Sequence, residues 1–146
     1  MTPEQVDLIR KSFDAIWPMN RDIADLCYSR LFELAPDARA LFTSDMERQR
    51  GKLMDMIAAL VGSVDQPALF QSLAAHSGRQ HARFGVQPSH YAALGEALIW
   101  SLECKCGASF TPELRESWRA LYTTVQVEML RTGARALSHQ TLGMKR

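Results

Sequence analysis

His81 is the residue with the plainest chemistry to offer, since a neutral imidazole can hold a metal through one ring nitrogen. Upstream of it stand Tyr28, Phe42, Gln49 and Leu53, the last one helical turn beyond Gln49 and therefore on the same helix face. A tyrosine hydroxyl buried in an apolar cavity must find a hydrogen-bond partner, and an amide brings both donor and acceptor. A lone histidine near the end of an amphipathic helix is ordinarily structural or solvated. The set offers a metal donor, a phenol hydroxyl and an amide, with an aromatic and an apolar residue among them.

The remaining histidines compete poorly for that role. His76 lies five residues earlier and falls on a different face; His90 sits in the first turn of the next helix near a proline, and His139 is in the tail. Solvated or capping roles are expected for all three. Cys27, Cys104 and Cys106 are an odd number, and Cys104-x-Cys106 on a helix points its side chains apart, so reduced thiols are expected.

With 17 Lys plus Arg against 16 Asp plus Glu, the net charge of +1 argues against a polyanionic partner: no nucleic acid and no anionic membrane. Met1-Thr2-Pro3-Glu4 does not read as a signal sequence and no apolar run reaches membrane-spanning length, so a cytoplasmic protein is expected.

The elements that position these residues are helices throughout, because no stretch alternates as a half-buried strand does. Thr2-Pro3-Glu4-Gln5 opens the first with a capping box, Val6, Ile9, Phe13 and Ile16 mark its face, and Pro18 ends it. A second runs from about Asn20 to Ala35, and residues 36 to 44 hold no more than a turn. A third spans about Asp45 to Ser63 with Met46, Gln49, Leu53, Met56 and Leu60 on one face. The fourth, about Gln66 to Arg83, carries Leu69, Leu73 and His81 on one stripe and stops at Gly85, a left-handed cap. The fifth runs from about Pro88 to Gly107 with Tyr91, Leu94, Leu98 and Leu102. The last opens at Thr111-Pro112 and carries Leu114, Trp118, Leu121, Val125 and Met129 to about Leu137. One domain over 1–137 and a flexible tail over 138–146 follow. Proline-marked corners imply angled crossings and a gap between the third and fourth helices that something fills.

At this point the chain resembles the bacterial single-domain globins and the globin domain of flavohaemoglobins. The likeness rests on Cys-Tyr-Ser-Arg-Leu-Phe around Tyr28, Pro-Asp-Ala-Arg-Ala-Leu-Phe from Pro36 to Phe42, Gln-Arg-Gly-Lys-Leu from Gln49 to Leu53, and the run from His81 to Tyr91. It implies an all-α globin fold, a three-over-three helical sandwich around one haem. It implies His81 as the iron ligand, Phe42 as the aromatic wedged against the macrocycle, and Tyr28, Gln49 and Leu53 lining the side where gas binds. Val86, Tyr91, Leu94 and Leu98 would complete the proximal and rear walls, with Lys52 and Arg83 at the edge for the propionates. Without a Cys-x-x-Cys-His motif the group would be non-covalent haem b.

Flavohaemoglobins couple the proximal histidine to a tyrosine and a glutamate. Tyr91 matches the tyrosine, but Gly133 stands where the glutamate would lie and Glu128 is on another face, which argues against a strongly activated proximal side. The functions implied are reversible binding of oxygen, nitric oxide or carbon monoxide at five-coordinate iron and, with a separate reductase, conversion of nitric oxide to nitrate. No side chain is assigned a catalytic role. A gas or redox sensor signalling to a partner protein is the alternative, and a haem-free helical regulator a third.

Overall fold

The computed structural model describes the backbone of residues 1–42 and 45–144 and the side chains of 1–42 and 45–138. Among these residues the chain forms six α-helices and no strand: α1 Pro3–Ile16, α2 Asn20–Leu34, α3 Met46–Ser63, α4 Pro67–Arg83, α5 Pro88–Cys106 and α6 Pro112–Met144. The expected boundaries hold to within a residue or two, except that α6 continues past 137 to Met144. The tail expected over 138–146 therefore begins on helical backbone, while the side chains from 139 onward and residues 145 and 146 lie outside the described residues.

Local chemistry accounts for the breaks. Thr2 Oγ1 accepts the Gln5 N–H at 3.1 Å while Gln5 returns the bond to the Thr2 N–H at 3.0 Å, so two otherwise unpaired donors are satisfied reciprocally. Pro18 and Pro36 fall in 3₁₀ stretches, Trp17–Met19 and Pro36–Leu41, that turn the chain between helices. Gly85 closes α4 at φ +82°, a conformation that favours a residue without Cβ.

The helices stack in two layers. α1, α3 and α4 neighbour one another in one layer, α2, α5 and α6 in the other, and α4 on α6, α1 on α6 and α2 on α3 join them. This is the three-over-three sandwich anticipated from the motifs. Trp118, Ile9, Ile23, Met54 and Leu102 are fully buried between the layers. Backbones meet where α4 crosses α6: a Cβ on Gly78 would stand 2.5 Å from the Met129 carbonyl oxygen.

That crossing corrects the expected stripe of α4. Leu69 is 47 % exposed and Leu73 only half-buried, while Phe70, Ala74 and Gly78 form the buried row facing α6. Leu73, Ser77 and His81 occupy the adjacent row, so His81 lies beside the core stripe and not within it.

Candidate functional site

Tyr28 is 4 % exposed on α2, where burial pushes its hydroxyl pKa up to about 12, so it keeps its proton at neutral pH. Gln49, half-buried on α3, donates from Nε2 to the Tyr28 hydroxyl oxygen at 3.3 Å. That bond uses a lone pair of the tyrosine and leaves its own proton free to donate. Phe42, at the end of the 3₁₀ stretch, meets the Tyr28 ring edge-on at 5.2 Å and the Phe32 ring at 5.6 Å. Leu53 packs half-buried on the core. Tyr28, Phe42 and Gln49 are thus in contact, brought from three elements.

His81 is half-buried near the end of α4, and desolvation lowers its pKa, favouring the neutral ring. Its Nδ1 lies 3.2 Å from Ser77 Oγ, one turn earlier, while Nε2 makes no hydrogen bond among the described residues. With Nδ1–H held by Ser77, the Nε2 lone pair is available to a metal. The Tyr91 ring stands nearly perpendicular to the imidazole at 5.9 Å. Tyr91 and Leu98 are buried on α5, and Val86 and Leu94 are half-buried against the core. Tyr122 on α6 donates its hydroxyl to the Tyr91 carbonyl and wedges into the space left by Gly95, where a Cβ would lie 2.5 Å from its ring.

Lys52 and Arg83 are exposed and pair with no carboxylate among the described residues, so both charges are free at the protein edge. Of the other histidines, His76 is exposed as expected, and His139 has its side chain outside the described residues. His90 takes the capping role but is only 8 % exposed, so it is not solvated.

Gly133 packs against α4, where a Cβ would stand 3.2 Å from both Ala82 Cβ and the Gly78 carbonyl oxygen. A side chain at this position therefore needs the crossing to give by a few tenths of an ångström. Glu128 turns instead to Arg131 at 2.5 Å.

Sequence reasoning missed Ser77, Tyr122 and Arg50. Ser77 was legible in principle, four residues before His81 on the same helix face. Arg50 was not: it reaches back to Asp25 on α2 at 3.1 Å and helps line a cleft of about 200 Å³ beside Tyr28.

Among the described residues no three His, Cys, Asp or Glu side chains converge on a common point. His81, half-buried with an unengaged ring nitrogen, therefore fits a metal that arrives with donors of its own, as haem iron does. The half-buried apolar side chains around it fit a flat hydrophobic cofactor, and the two free cations fit its acidic edge.

Comparison with known proteins agrees. A family model described as Globin matches residues 25–129. The chain is 28 % identical to a protein named Neuroglobin from Tetraodon nigroviridis, over 92 % of this chain and 94 % of that one. It is also 28 % identical to Neuroglobin-1 of Oncorhynchus mykiss, over 97 % of this chain and 98 % of the relative. These relatives are vertebrate proteins. The matches carry the family at large, and the narrower likeness to bacterial single-domain globins rests on the motif residues alone.

Proposed function

Because the chain belongs to the globin family, whose members bind small gases on haem, we propose that it holds haem b through His81 Nε2 and receives oxygen, nitric oxide or carbon monoxide beside Tyr28 and Gln49. The observation that carries this is the pairing of an unspent Tyr28 hydroxyl proton with a neutral His81 whose Nε2 is unengaged. Haem, when bound, would supply the iron that takes a diatomic gas. Phe42 and Leu53 support the macrocycle on one side and Val86, Leu94 and Leu98 on the other, with Tyr91 fixing the imidazole plane. Lys52 and Arg83 attract the propionates.

Tyr28 donates its proton to a ligand atom bearing negative charge, and Gln49 orients that hydroxyl through the bond at 3.3 Å. Gln49 is a poor iron ligand, so this side would be left to the gas. Reversible binding is favoured over oxygen activation, because the uncharged Ser77 is the hydrogen-bond partner of His81 among the described residues and glycine, not a carboxylate, stands at 133. Conversion of nitric oxide to nitrate needs electrons from a separate reductase. The motif likeness to bacterial single-domain globins and a cytoplasmic location accompany this reading.

An absorption spectrum of the purified ferrous protein tests it. A high-spin, five-coordinate haem band that shifts on adding carbon monoxide is the expected result. Protein that takes up no haem overturns the reading, and low-spin ferrous iron without added ligand overturns the distal assignment.

A further inference from the structure

His90 belongs to neither side of the proposed gas site, yet both of its ring nitrogens are committed. Nδ1 accepts the backbone N–H of Gln87 at 2.9 Å, which makes Nδ1 the unprotonated nitrogen. Nε2 carries the proton and donates to Asp37 Oδ2 at 2.9 Å. The two partners belong to separate segments of the chain. Gln87 ends the short connection from His81, a connection also held by the Val86 N–H donating to the His81 carbonyl at 3.1 Å. Asp37 lies in the 3₁₀ stretch Pro36–Leu41 that delivers Phe42 to the Tyr28 ring. Tyr91, whose ring meets His81, is the next residue after His90.

We propose that His90 is a positioning residue that ties the segment carrying His81 to the corner carrying Phe42, through its bridge to Asp37. The bridge sets where Tyr91 and the end of α4 lie relative to the distal corner, so the two faces of the cofactor slot keep a fixed separation. The inference rests on the haem-binding reading, but the bridge itself belongs to the chain and is testable without haem.

Asparagine matches the reach of Nδ1 and not of Nε2, so His90→Asn keeps the Gln87 cap and cuts the bridge. Asp37→Ala cuts it from an exposed side chain that supports no core, and Asp37→Asn keeps an acceptor. In the haem-free protein, nitrogen NMR of the His90 ring should show Nδ1 unprotonated and Nε2 protonated, and Asp37→Ala should move the amide signals of Gln87 and Val86. In the haem-loaded protein, His90→Asn and Asp37→Ala should shift the iron–histidine stretching band alike and release haem to an acceptor about two- to fivefold faster, the size of one partly exposed charge-assisted bridge. The double variant should add nothing, and Asp37→Asn should restore most of the wild-type behaviour. An unchanged stretching band and release rate in both single variants overturns the proposal, as does a His90→Asn effect that Asp37→Ala does not share. Failure to load haem strikes at the functional reading, whereas the opposite ring tautomer strikes at the bridge.

Discussion

Each polar side chain of the site has a task because burial removes its alternatives. His81 keeps a neutral ring through desolvation, and Ser77 engages Nδ1, so the only nitrogen left for iron is Nε2. His81→Ala is expected to abolish haem retention on gel filtration, while His76→Ala, an exposed change, retains it; equal retention would remove His81 from the site. Tyr28 presents a proton and keeps it, its pKa being near 12. Negative charge develops on oxygen when it binds and scarcely on carbon monoxide. Tyr28→Phe should therefore speed oxygen release at least about tenfold, a loss of about 1.4 kcal/mol, and alter carbon monoxide release much less. Stopped-flow dissociation of both gases checks this, and equal changes would show that the ring acts by shape alone.

At the scale of elements, glycine decides how closely helices approach. Gly78 lets the α4 backbone rest on Met129 of α6, and a methyl group there meets backbone that cannot step aside. Gly78→Ala is expected to cost about 1–3 kcal/mol or more, read as a clear fall in thermal midpoint. Gly62, also helical, has nothing within 4 Å of its Cβ position. Gly62→Ala should stabilise by about 0.5–1 kcal/mol, since alanine loses less backbone freedom in a helix. Two identical substitutions thus have opposite signs, and a thermal melt of each shows whether the α4–α6 crossing is as close as described. The chain's departure from a tyrosine–glutamate proximal pair lies at the same crossing, where Gly133 packs against Gly78 and Ala82.

Across the whole molecule, the chain has three tyrosines, and burial raises the pKa of each. Burial also lifts Cys27 from 9.0 to about 12. The folded state retains protons that the unfolded chain would surrender, so this stability is intact below about pH 9 and is lost as pH rises towards 12. Tyrosinate absorption should stay silent through pH 10, then appear together with loss of helical circular dichroism. Tyrosinate forming near pH 10 in a fully helical protein would show that the tyrosines are solvated. The ion pairs contribute little to this balance, since each has at least one solvent-exposed partner.

Helix order, caps and most boundaries were legible in the sequence, because Thr2, the prolines and Gly85 act within a few residues of themselves. The contacts of Tyr28, Phe42 and Gln49 were legible only as a family resemblance, since their spacing along the chain says nothing about which helices meet. The face of α4 was misread by one residue: Leu69 and Leu73 dominate any hydrophobic pattern, yet the row that packs on α6 ends in Ala74 and Gly78, chosen for small size. The sequence leaves His90 solvated or capping; it caps and is buried rather than solvated, and its second partner, Asp37, comes from fifty-three positions away. Residue types and short-range spacing therefore determined which helices form and which side chains are chemically able. Only the tertiary structure decided which of them touch, because close approach depends on the volume left at crossings between distant segments.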